Sequence, residues 1–166
     1  MTSVSSTIIA SVGLITGGYL YPYLHEYVHW LVGELFSGDP NVLYDSWYRI
    51  PYPYAVEYNS LTQMPNWGVR IAGISPHLIW TTVALLFIGN PFPILSTDIL
   101  LLILGISEAI TSTQFLALVF ITASAGAGFG VSPADLVATF RPNRFREYTG
   151  DGLSHLDWGR VLLGYD

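Results

Sequence analysis

Residues 19–36 read Tyr19-Leu20-Tyr21-Pro22-Tyr23-Leu24-His25-Glu26-Tyr27-Val28-His29-Trp30-Leu31-Val32-Gly33-Glu34-Leu35-Phe36. Within this apolar stretch, His25 to His29 form a His-Glu-x-x-His pattern. On a helix the two histidines stand at i and i+4, on one face and one turn apart. Imidazoles at that spacing can grip one tetrahedral zinc ion. Glu26 follows the first histidine, about 100° round the helix. From there it can act as general base toward a water the metal activates, and later protonate a leaving amine. The plainer reading is a pair of interfacial histidines hydrogen-bonded at a helix end. Ionisable side chains inside a hydrophobic segment are costly and usually functional, which favours the metal.

The surroundings of the motif set the class of protein. The chain has 166 residues, 51% hydrophobic and only 11% charged. Soluble domains carry about 25% charge, so a soluble monomer could not cover its surface this way. The net charge is −6, which excludes the basic face of a nucleic-acid binder. No cysteine is present, so disulfides and thiolate metal sites are excluded. Residues 1–24, 71–97 and 109–134 contain no charged side chain, and 99–107 is uncharged between Asp98 and Glu108. A run of about 20 apolar residues spans a bilayer as a helix. The expectation is a mainly α, polytopic membrane helix bundle of three to four transmembrane segments with a short β-rich, aromatic insert. The N-terminal run lacks a basic leader and a small-x-small cleavage site, and reads as a retained membrane segment.

The first segment runs from Ser5 to Phe36, interrupted at Gly17-Gly18 and Pro22, as two helical pieces or one kinked helix. Ser37-Gly38-Asp39-Pro40 ends it, with Gly as the stop. Residues 38–70 form the insert, where Val42 to Ile50 and Tyr54 to Tyr58 read as strands joined through Pro51-Tyr52-Pro53. Its many Tyr and Trp suit a membrane interface. A second segment covers Ile71 to Gly89, and Asn90-Pro91-Phe92-Pro93 is a turn. A third stretch is Ile94 to Ile110 and a fourth Thr111 to Val131, ending in Gly126, Gly128 and Gly130, which would let helices approach closely. Residues 1–140 thus form the membrane domain and 141–166 a polar tail. Arg141, Arg144 and Arg146 place that tail in the cytoplasm by positive-inside reasoning.

A catalytic zinc needs a third protein ligand and one open position. Val32 and Leu35 occupy the places where the extended metzincin pattern needs Gly and His, so that pattern is excluded. Glu34 points away from His29. Asp135, Glu108 and His77 remain as candidates, and Asp135 also reads as a helix-capping or turn residue after Pro133. His155 reads as a surface residue, and Asn66 and Asn90 as turn residues. Gly73 would allow close backbone approach.

The order of these elements resembles the site-2-protease-like family of intramembrane zinc metalloproteases. In that family a membrane helix carrying His-Glu-x-x-His is followed by a β-rich insert, a second core helix, and a helix bearing an Asp ligand. Ala72-Gly73-Ile74-Ser75-Pro76-His77 resembles the opening of the second core helix. Ser132-Pro133-Ala134-Asp135-Leu136 resembles the Asp motif, with Leu136 where the family has Gly. The family's substrate-holding Asn has no counterpart here, and Ser75 is the nearest substitute. The resemblance implies His25, His29 and Asp135 as zinc ligands and Glu26 as the catalytic base. It further implies a membrane protein or peptide as substrate. Two other classes remain: a non-catalytic membrane scaffold with a metallopeptidase-like fold, and a transporter using His25, Glu26 and His29 as a proton relay.

Overall fold

The computed structural model describes residues 3–47, 49–88, 111–127, 132–150 and 153–165. Ile94 to Ile110, Glu108 and the Asn90–Pro93 turn lie outside them. The described chain is mainly helical with one two-stranded sheet. The helices are α1 (Ser3–Ile15), α2 (Tyr21–Leu35), α3 (Asn66–Val83), α4 (Ser112–Gly126), α5 (Pro133–Phe140), α6 (Pro142–Tyr148) and α7 (His155–Leu163). Strands β1 (Pro40–Trp47) and β2 (Ile50–Tyr58) lie between α2 and α3. Two helical stretches, Ser5–Leu35 and Asn66–Leu86, are long and apolar enough to cross a membrane, and Ser112–Gly126 is a shorter apolar helix.

The chain divides into two compact units. The first comprises Met1–Pro22 and Leu78–Gly130. Here α1 packs on α4 through glycine. A Cβ on Gly13 would come within 2.7 Å of the Val119 side chain, and one on Gly17 within 2.2 Å of the Phe120 carbonyl oxygen. Of the C-terminal glycines of the fourth stretch, Gly126 faces open space, and Gly128 and Gly130 lie outside the described residues. The interruption at Gly17-Gly18 is a π-helical turn over Thr16–Leu20, in which the Tyr21 N–H reaches the Thr16 carbonyl. This wider turn accommodates Pro22, which has no N–H to continue the ladder. Trp80 Nε1 donates to Ser124 Oγ at 2.8 Å, satisfying two buried polar groups. Ile8, Leu14, Leu20, Leu85 and Leu86 are exposed.

The second unit comprises Tyr23–His77 and Val131–Asp166. Its core joins Val32, Leu61, Met64, Val69, Ala72 and Ala138. The strands are antiparallel and pair Tyr44 with Pro53 and Ser46 with Pro51. Pro51-Tyr52-Pro53 therefore lies inside β2 rather than at the turn. A two-stranded sheet consists only of edge strands, and an edge tolerates proline because an outward N–H has no partner to lose. Arg49, between the strands, takes the left-handed conformation at φ 68°. The stop after α2 also differs from the expectation. Ser37 and Asp39 take the left-handed conformation there, at φ 59° and 48°. Gly38 is small for another reason, since a Cβ there would lie 2.6 Å from Met64 Sδ.

The polar tail folds as α6 and α7, and α7 packs against α5. Arg146, read from sequence only as part of a basic cluster, ties α6 to the end of the insert. It donates to the Leu61 carbonyl at 3.3 Å, the Met64 carbonyl at 2.6 Å and the Asn66 side chain. Asn66 opens α3, and His155 is exposed at the start of α7.

Candidate metal centre

Helix α2 carries His25, Glu26 and His29, and all three side chains are buried. The i, i+4 spacing does what the sequence implies: the two Nε2 atoms lie 3.1 Å apart. Asp135 arrives from α5, more than a hundred residues away. Its Oδ2 is 3.4 Å from His25 Nε2 and its Oδ1 is 3.3 Å from His29 Nε2. A tetrahedral ion with Zn–N bonds of 2.0–2.1 Å separates its ligand atoms by about 3.3 Å. His25, His29 and Asp135 can thus hold a metal ion as they stand.

Asp135 is the third residue of α5, where a carboxylate often caps the helix. Its N-cap, Ser132, makes no side-chain capping bond, and the carboxylate is turned to the histidines instead. Burial pushes the Asp135 carboxyl up. The charge on His29 and the imidazoles of His25 and His77 outweigh this and hold it well below the usual carboxylate range. It is held as an anion, the form in which a carboxylate can bind a metal.

The α3–α5 contact sets where Asp135 sits. A Cβ on Gly73 would lie 2.5 Å from the Asp135 carbonyl oxygen and 2.7 Å from Thr139 Oγ1. Glycine alone lets the two backbones meet there. Thr139 Oγ1 donates to the Asp135 carbonyl at 2.7 Å, and Arg70 donates to the Thr139 carbonyl at 2.8 Å.

Glu26 Oε2 is buried and has no hydrogen-bond partner among the described residues. Leaving a buried carboxylate oxygen unpaired costs on the order of 1–3 kcal/mol or more.

His77, a candidate third ligand from sequence, stands in the same cluster. Its Nε2 is 3.1 Å from Asp135 Oδ2, and its ring centroid is 5.7 Å from that of His25. Glu34 is exposed, away from the site. Ser75, the suggested substitute for a substrate-holding Asn, donates instead to the Ala72 carbonyl of its own helix at 3.3 Å.

Four tyrosines fasten the hairpin to α2 through three contacts, a role that composition does not reveal. Tyr23 donates to the Pro51 carbonyl, the Tyr27 and Tyr44 hydroxyls lie 3.3 Å apart, and Tyr58 donates to the His29 carbonyl at 3.2 Å. Burial, then the charges of Asp135 and Glu26, push the Tyr58 hydroxyl up, so it stays a donor. Comparison of the chain with protein-family models, curated proteins and solved structures returns no match.

Proposed function

We propose that this protein is an integral-membrane zinc metallopeptidase of the site-2-protease-like kind, hydrolysing peptide bonds in or near the bilayer. The observation that carries the reading is the meeting of His25, His29 and Asp135 at metal-ligand spacing beside a buried, unpartnered Glu26 Oε2. Zinc held by the three would supply a Lewis acid that activates water near neutral pH. Glu26 takes the proton from the attacking water on its free oxygen and returns it to the leaving amine. Asp135 contributes the negative charge of the ligand set, and the buried setting excludes bulk water from competing hydrogen bonds.

The substrate is a membrane protein or peptide, and it must be extended at the scissile bond. A helix hides its carbonyls in its own hydrogen bonds. The hairpin β1–β2, with outer edges unpaired among the described residues, offers a place for an extended strand to add. The two apolar helices long enough to cross a bilayer support an integral, multi-pass protein. The arginines after the fourth stretch support a cytoplasmic tail.

Zinc content of the purified protein tests the reading. The parent is expected to carry one zinc per chain and His29→Ala none. A parent without zinc contradicts it. Such a result, combined with pH-linked flux in liposomes, would identify a proton-relay transporter instead; without flux, it would leave a scaffold.

A further inference from the structure

Pro76 lies in the interior of α3 and is buried. Proline has no N–H, so the carbonyl four residues before it loses its helical donor. That carbonyl belongs to Ala72, which is itself buried. It is not left unsatisfied. His29 Nδ1 lies 2.8 Å from the Ala72 oxygen, and Ser75 Oγ donates to it at 3.3 Å.

A carbonyl oxygen only accepts, so His29 Nδ1 must carry the proton in this bond. A neutral His29 then has its lone pair on Nε2. That is the atom 3.1 Å from His25 Nε2 and 3.3 Å from Asp135 Oδ1. The hydrogen bond on one ring nitrogen thus selects the tautomer and aims the other nitrogen at the metal position.

We infer that Pro76 is a positioning residue for the metal centre. By supplying no N–H, it releases the Ala72 carbonyl from the α3 ladder to hold His29 in the metal-binding tautomer. The inference rests on the zinc site of the proposed function. It adds a sequence feature, a proline inside a helix, to the site's construction.

Two replacements at position 76 separate the missing donor from the bend that a proline ring causes. Pro76→Ala removes the ring and restores an N–H. Lactic acid, the hydroxy-acid analogue of alanine introduced by nonsense suppression, removes the ring and restores none. Zinc affinity of each full-length protein in nanodiscs is measured by chelator competition. Outer-shell partners of ligating histidines are worth about 10–100-fold in metal affinity. Pro76→Ala is expected to lose affinity by that factor, and the lactic-acid protein to stay within about threefold of the parent. Equal affinities in all three proteins, or an equal loss in both replacements, would overturn the inference.

The ¹⁵N shifts of the His29 ring in metal-free protein give a second readout that needs no zinc. At a pH high enough for the ring to be neutral, Nδ1-protonated His29 is expected in the parent, with the tautomer mixed or reversed in Pro76→Ala. The Nε2-protonated form in the parent would overturn the inference even if zinc binds. A parent that binds no zinc but keeps the Nδ1–H tautomer would overturn the metal reading, while the hydrogen-bond arrangement stands.

Discussion

Asp135 is where the residue scale is most exposed to test. Its carboxylate stands among His25, His29 and His77 at 3.1–3.4 Å, so its charge matters more than its shape. Asp135→Asn keeps the shape and removes the charge. It is expected to lose stoichiometric zinc, read by metal analysis, while circular dichroism stays at the parent level. His77→Ala should behave differently. His77 touches Asp135 rather than completing the three-ligand set, so one zinc per chain is retained, with affinity lowered about tenfold as for outer-shell groups. The histidine pair and Glu26 were legible in sequence because helical spacing is local. Asp135 was one of three candidates from the residues, and only the resemblance singled it out, since no spacing rule links it to residue 29. The Ala72 carbonyl was illegible, because a backbone atom leaves no signature of its own. Pro76, which frees it, was in view only as part of a motif.

At the scale of elements, two glycine contacts set how closely helices pack. A methyl on Gly73 would meet the Asp135 carbonyl at 2.5 Å. Gly73→Ala should therefore push α5 from α3, reduce zinc occupancy and destabilise the fold by about 1–3 kcal/mol, the usual range for overpacking. Gly17→Ala meets the Phe120 carbonyl at 2.2 Å and should cost a similar amount in thermal unfolding. The sequence reading took Gly17-Gly18 as an interruption of one helix. What it lacked was the partner, because α4 comes about a hundred residues later. Tyr58→Phe removes the donor to the His29 carbonyl and should cost about 1 kcal/mol. The sequence places the join between the strands at Pro51-Tyr52-Pro53, inside what is β2, for a physical reason. Proline argues against a strand only where the strand has neighbours on both sides.

For the whole molecule, scarcity of charge was the clearest signal in the sequence. It implied a membrane protein, and two stretches of suitable length and apolarity agree in kind. An integral protein is expected to stay in the pellet when membranes are washed with alkaline carbonate, and its release into the supernatant would contradict the membrane reading. The central claim joins metal and base in one site. Its most direct test is Glu26→Gln, assayed beside the parent for zinc content and for cleavage of a transmembrane substrate. One zinc per chain in both proteins, with cleavage by the parent alone, is the predicted result. Cleavage by Glu26→Gln at the parent rate would contradict it.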